Sequence, residues 1–375
     1  MSQRAIAVFP GEKRVRLIEH AAPRIERPTD VRIRVLEVGV CGTDREICAF
    51  DYGTPPAGSD HLVIGHESVG QVVEVGSGVE SLRPGDVVVP TVRRPCRHAT
   101  CHACGSGRQD FCFTGDFSER GINGLHGFMT EFVVEDAANL NAVPAALREV
   151  AVLVEPLTIA EKALSQVWHL QERLPWGCAV TPGRGPGRCH RAVVIGAGPV
   201  GMLGAMKLAA SGFDTTVYSR EPAPNPRQQL VEAIGARYVS SAETPVEMLA
   251  AIAGPIDLVY EAVGASSIAF ELMKVLGTNG VFVFTGVPGR REPMPVDTDL
   301  LMRNLVLKNQ LVLGTVNAGK ESFENAIVDL ADFQQRWPQA LSGLISGRHP
   351  MEDHAELLLG RPSGIKNVIR IGAAA

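Results

Sequence analysis

The run RAVVIGAGPVGMLGAMKLAASGFDTTVYSREP, Arg191 to Pro222, restricts the fold more than any other stretch of the chain. Ala192 to Ile195 reads as a strand. Gly196-Ala-Gly198-Pro199-Val200-Gly201 reads as a tight turn, and a helix of small residues follows. In that strand–turn–helix setting the glycines allow a pyrophosphate to approach the backbone closely, where the helix N-terminus offers its free N–H groups. Gly196, Gly198, Pro199, Val200 and Gly201 are therefore the candidate contacts to a dinucleotide. Further apolar runs at Asp257 to Glu261 and Val281 to Thr285 continue the alternation of strand and helix. The pattern predicts an α/β fold with a doubly wound parallel sheet of the Rossmann type.

The second strand of that module ends in Thr216-Val217-Tyr218-Ser219-Arg220. A site built for NAD places Asp or Glu there to accept the ribose hydroxyls. Ser219 and Arg220 instead suit the 2′-phosphate of NADP, which a guanidinium clamps through two hydrogen bonds. Arg227 stands ready to assist. Glu221 partly offsets Arg220, so the reading is NADP preferred, with NAD also accommodated.

A module of this kind needs only part of 375 residues, and the length suggests roughly two domains. The charge of -5 argues against nucleic acid as a partner. No apolar run reaches the ~18 residues of a membrane span. The N-terminal residues lack an apolar leader core, so a cytoplasmic, reducing compartment is expected. The eight cysteines are accordingly not expected to form disulfides. Cys48, Cys178 and Cys189 are read as packing or loop positions. The Pro- and Gly-rich stretch Pro175 to Arg191 reads as a linker or surface loop.

Four cysteines crowd into PCRHATCHACGSGRQDFC, as Cys96-x4-Cys101-x2-Cys104-x7-Cys112. Four thiolates so close in sequence suit one tetrahedral zinc ion with no open position, a staple rather than a reaction centre. His98 or His102 is an alternative ligand. A redox pair and uncommitted thiols are the competing readings.

A second constellation is spread wider. The strand Val31 to Val38 leads into Cys41-Gly-Thr43-Asp44, His66-Glu67 stands before another apolar strand, and Glu155 interrupts the apolar run VAVLVEPLTIAEKAL. A buried unpaired carboxylate is costly, so Glu155 calls for a partner. A Cys, a His and a Glu suit a catalytic zinc, which keeps a position open for water or substrate. Asp44 is the candidate to orient His66 through its other ring nitrogen. Thr43 either relays a proton or caps a turn.

Gly65-His66-Glu67-x2-Gly70-x5-Gly76-x2-Val79, with Pro84-Gly85-Asp86, the four-cysteine lobe and GAGPVG in that order, resembles the zinc-dependent medium-chain alcohol dehydrogenase superfamily. Within it, VCGTDREI, TVRRPC, GRQDFC, TGDFSERGINGLHGFM, GTVNAGK and GIKNVIRI resemble the NAD(P)-dependent glucose 1-dehydrogenases. The resemblance implies a mostly-β, GroES-like catalytic domain from residues 1–165 and 311–375 around a Rossmann domain at 166–310. It implies two zinc ions per chain. The catalytic one is held by Cys41, His66 and Glu155 with Glu67 close by, and the structural one by the lobe cysteines. It implies that Glu119 and Asn317, with Glu155, meet the hydroxyls of a sugar, and that the chain forms a homodimer or homotetramer. The implied reaction oxidises the anomeric hydroxyl of an aldose with NADP. A polyol or secondary-alcohol dehydrogenase, and a non-catalytic nucleotide sensor on the same fold, are the alternatives.

Overall fold

The computed structural model describes residues 2–179, 185–289 and 293–372. The chain forms two compact units, one from residues 1–158, 317–332 and 345–375, the other from 159–316 and 333–344.

The first unit is mostly β. Its largest sheet has seven strands. Six run in the order Leu140–Val143, Val87–Pro90, Glu67–Val75, Asp30–Gly39, Lys366–Arg370 and Ile345–Pro350, and Phe132–Asp136 also pairs with Asp30–Gly39. Asp30–Gly39 can sit centrally because Val31, Ile33 and Val35 are all buried, and their branched side chains suit a pleated surface. Antiparallel pairing places Glu67 opposite Gly39, and on the other side Val368 opposite the same glycine. That register brings three distant parts of the sequence to one point. A smaller sheet joins Arg14–Ala21, Ser2–Phe9 and Leu62–Val63.

The second unit is built on six strands in the order Arg237–Ser240, Asp214–Ser219, Arg191–Ile195, Ile256–Glu261, Leu276–Phe284 and Leu311–Gly314. Every pairing is parallel. In chain order this is 3-2-1-4-5-6, the doubly wound arrangement that the glycine motif predicts. Val193, Ile195, Val259, Leu272 and Phe282 share its buried core. Buried strands of this kind read as continuous apolar runs, which is why they stand out in the sequence.

One expectation needs correction here. Cys178 and Cys189 are joined by a disulfide, so these two are not free thiols at loop positions. Sequence spacing alone cannot show which loop ends approach each other. The described parts of Pro175 to Arg191 form a surface loop, with Pro175, Gly177, Ala179, Pro186 and Cys189 exposed, and the loop is anchored at two rings. Trp176 is buried, its ring stacks on His190 at 4.2 Å, and both pack towards Phe213. Residues 180–184 of that stretch lie outside the described residues.

Candidate active site

Cys41 follows the end of strand Asp30–Gly39 and caps the helix Gly42–Cys48. The Cys41 N–H donates to Asp44 Oδ2 at 2.9 Å, so the short helix and its fully buried Asp44 fix the turn that presents the thiol. His66 and Glu67 begin the neighbouring strand. The register that faces Glu67 with Gly39 sets their donor atoms beside Cys41. One ligand atom from each of Cys41, His66 and Glu67 lies within 4.8 Å of the others. A side chain at position 39 is excluded, because its Cβ would sit 2.2 Å from Glu67 Oε2.

The cluster fits a divalent cation. His66 Nδ1 and Asp44 Oδ1 are 3.3 Å apart, both buried, and neither completes a hydrogen bond. Burial opposes protonation of His66, but Asp44 and Cys41 outweigh it and raise its pKa well above the ordinary value. Thiolate, imidazole and carboxylate gathered within 4.8 Å are the donors zinc takes. Glu155, at the start of helix Val154–Gln171, shares this pocket without joining the tight three-atom set. Burial pushes its carboxyl up to about 7, opposed by His66 and reinforced by Glu67.

Two functional residues, Lys366 and Arg93, escaped the sequence reading. Lys366 is only 1% exposed, and its ammonium donates to Glu67 Oε2 and to the Val40 carbonyl, the latter at 3.2 Å. It arrives on the strand Lys366–Arg370, which pairs with Asp30–Gly39. The available signal was a lysine before the apolar residues of GIKNVIRI, since a buried cation demands an anion.

Glu119 is buried and its Oε1 carries three donors. Arg93 reaches it through Nε and Nη2 at 3.0 Å each, and Asn317 through Nδ2 at 2.9 Å. No partner falls to Oε2 among the described residues, which leaves an acceptor free for a hydroxyl. Asn317 is in turn fixed by the Ala318 N–H, which donates to its Oδ1 at 2.8 Å. Arg93 was not anticipated from the sequence. It is held over the Phe117 ring at 3.7 Å and supplies the cationic partner that a buried carboxylate such as Glu119 calls for. Thr43 is half-buried in the first turn after Cys41, and its hydroxyl makes no hydrogen bond within the described chain.

The lobe brings Sγ atoms of Cys96, Cys101, Cys104 and Cys112 within 4.8 Å of one another. The wide gap before Cys101 therefore does not remove Cys96 from the group. His98 turns outward to Asp116 at 2.7 Å. Burial pushes the Cys104 thiol up to about 12, while at Cys112 bonds from Thr114 and Gly115 overcome burial and bring it down to about 6. Four sulfurs gathered this closely fit a cation that replaces their protons.

In the second unit, Gly198 caps the helix Pro199–Ala210 with Pro199 at its first position, Val200 and Gly201 following in the first turn. A Cβ at Gly201 would lie 2.1 Å from the Gly196 carbonyl, whereas one at Gly198 would meet nothing within 4 Å. The turn is thus closed on itself and open above the helix N-terminus, a cradle for phosphate. Ser219 ends the adjacent strand and Arg220 is exposed beyond it. Arg227 donates to the Ala197 carbonyl at 2.9 Å and pairs with Glu221 at 3.3 Å, so Glu221 is held by Arg227.

Residues 27–145 match the alcohol dehydrogenase GroES-like domain family, and residues 148–371 match the family described as glucose dehydrogenase C-terminus. The glucose 1-dehydrogenase of Methanocella arvoryzae is 40% identical over 371 residues, 99% of this chain and 100% of that protein. A structure of Haloferax mediterranei glucose dehydrogenase in complex with NADP, Zn and gluconolactone aligns with a TM-score of 0.87 at 34% identity over 99% of each chain. The 2R,3R-butanediol dehydrogenase of Bacillus subtilis shares the fold at a TM-score of 0.76 and 24% identity, covering 99% of this chain and 100% of that one. No helix among the described residues is long and apolar enough to cross a membrane.

Proposed function

The chain belongs to the glucose dehydrogenase family, and on that premise we propose that it oxidises the anomeric C1 hydroxyl of an aldose, D-glucose or a close epimer, to the aldonolactone. The substrate gives up a hydride to NADP and a proton to solvent. The observation that carries this reading is the Cys41–His66–Glu67 cluster, set in the same unit as a Glu119 that keeps one oxygen free. Cys41, His66, Glu155 and Glu67 would hold a zinc ion, whose Lewis-acid charge would lower the pKa of a hydroxyl group. Asp44 orients His66. Thr43, with an uncommitted hydroxyl next to Cys41, passes the released proton outward. Glu119 accepts a sugar hydroxyl at Oε2, and Asn317 holds that carboxylate in place. The glycine turn receives the pyrophosphate, and Ser219 with Arg220 takes the 2′-phosphate of NADP; NAD is the poorer cofactor. Cys96, Cys101, Cys104 and Cys112 hold a second, purely structural zinc.

The cytoplasmic reading rests on the six cysteines that stay free, and the Cys178–Cys189 bridge counts against it. The working form is a homo-oligomer, supported by the apolar strip that Met302, Val306, Leu307 and Val312 expose on the second unit.

The test measures initial rates of NADP and NAD reduction with D-glucose, D-galactose, D-xylose, sorbitol and 2,3-butanediol, with and without a zinc chelator. Chelator-sensitive oxidation of an aldose with NADP preferred is the expected result. Activity on sorbitol or butanediol alone would move the protein to polyol chemistry. His66→Ala should abolish turnover and lower the metal content by one zinc per chain, while NADP binding by fluorescence stays within about twofold of wild type. A His66→Ala protein that turns over glucose normally would sink the zinc-centred reading.

A further inference from the structure

We propose that Tyr52 is a substrate-contacting residue whose ring forms a platform for the apolar face of the pyranose, between the Cys41–His66–Glu67 cluster and Glu119. The inference rests on reading the site as that of a sugar dehydrogenase.

Tyr52 lies four residues past the helix that starts at Cys41, and it is 52% exposed. A single exposed aromatic needs no explanation by itself. The backbone around this one does. Phe50 stands in the left-handed region at φ 65°, a conformation that costs a bulky residue about 1 kcal/mol or more. It is held there by its own N–H donating to the Ile47 carbonyl at 3.0 Å, while Asp51 N–H donates to Glu46. On the far side Thr54 pairs with Asn123. The Thr54 N–H donates to Ile122 O at 2.9 Å, and its carbonyl accepts from Gly124 N–H at 2.8 Å. The same short loop begins at Glu119, whose N–H donates to Asn123 O at 2.7 Å. Tyr52 is thus clamped between the segment carrying Cys41 and the segment carrying Glu119.

The charges around its hydroxyl agree with that placement. Partial burial raises its pKa first, Glu119 and Glu46 add to the rise, and Arg93 and His66 pull the other way. The hydrogen bonds that tie the Tyr52 segment to both the Cys41 helix and the Glu119 loop place the ring beside the path of a substrate reaching from one to the other. A pyranose has polar hydroxyls around its rim and C–H groups on its faces. Glu119 answers the rim, and a flat, pre-positioned ring answers the face at little entropic cost. The ring face carries the contact; the hydroxyl is secondary.

The experiment compares Tyr52→Ala, Tyr52→Leu and Tyr52→Phe with wild type in KM and kcat for D-glucose, KM for NADP, and gluconolactone binding by calorimetry in the NADP-loaded protein. Tyr52→Ala and Tyr52→Leu should each raise the glucose KM and weaken lactone binding by roughly fivefold to tenfold. Their kcat and NADP KM should stay within about twofold, and Tyr52→Phe should behave as wild type. Unchanged glucose KM and lactone affinity in the Ala and Leu variants overturn the platform, as does a Phe variant as impaired as Ala. A wild-type protein inert towards glucose and unable to bind lactone would overturn the underlying reading, and this inference with it.

Discussion

At the scale of single residues, the site depends on a cation that catalysis does not consume. Lys366 and Glu67 are each 1% exposed, and neither meets water. Burying both ions costs several kcal/mol, offset by their mutual attraction and by the Val40 carbonyl that takes a further Lys366 proton. Removing one member leaves the other charged and unpaired, which is worse than removing both. Lys366→Met should therefore lower the stability of the metal-stripped protein by about 3 kcal/mol. Adding Glu67→Gln to the same chain should return a good part of that loss. Urea unfolding of the three proteins decides the matter. A Lys366→Met cost below about 1 kcal/mol would mean that Glu67 finds another partner and that the pair does not set its position.

At the scale of elements, the first unit contains a contact made of titratable rings. His20 on strand Arg14–Ala21, His61 beside strand Leu62–Val63 and His126 stack or abut at 5.0 to 5.6 Å between ring centroids. His126 Nδ1 accepts the Val63 N–H at 3.1 Å, so the neutral ring is the form that fits. Burial first, then the neighbouring His20, His61 and Arg120, pull the His126 pKa down to about 4, and burial lowers His20 as well. A depressed histidine stays neutral in the fold while the unfolded chain takes up a proton near pH 6.5. Its contribution is intact above that value and fades as pH falls towards 4. Discounted for the solvent screening of a half-exposed ring, the loss between pH 7 and pH 5 is about 1 kcal/mol from His126. His126→Asn keeps an acceptor for Val63 and cannot titrate, so its urea midpoint should shift less with pH than that of wild type. Equal shifts would remove His126 from the pH response. None of this is legible in the sequence, where the three histidines stand 41 and 65 positions apart (20 to 61, 61 to 126) and share no motif. The strands were legible for the opposite reason. Arg191–Ile195, Ile256–Glu261 and Asp30–Gly39 carry unbroken or alternating apolar patterns, and a local pattern is what secondary structure leaves behind. Cys41, His66 and Glu67 could be picked out because each ends or begins such a strand. Lys366, Arg93 and the Cys178–Cys189 bridge depend on register and loop closure, which the sequence does not display.

At the scale of the whole molecule, the second unit leaves one sheet edge and one helix face unfinished. Leu311–Gly314 is one of the two edge strands of the six, and its far side has no strand partner among the described residues. Next to it in sequence, helix Thr298–Leu307 exposes Met302, Val306 and Leu307 at 63%, 69% and 65%, and Val312 on the strand is 40% exposed. A bare edge strand is a template for pairing, and natural proteins cover or charge such edges. This one carries no charge. The apolar residues beside it would stay wet in a monomer, and a second copy meeting the same surface about a two-fold axis would bury both sets at once. A net charge of -5 per chain is too small to prevent such an approach at physiological ionic strength. Light scattering on the purified protein should then give a mass of at least twice the 40.1 kDa of one chain. Val306→Lys combined with Val312→Lys places like charges face to face across that axis, and should lower the mass by at least half. The far-ultraviolet spectrum should not change, because both positions face solvent within one chain. A wild type that runs as a single chain, or a double variant that keeps its full mass, would place the contact between copies elsewhere or nowhere.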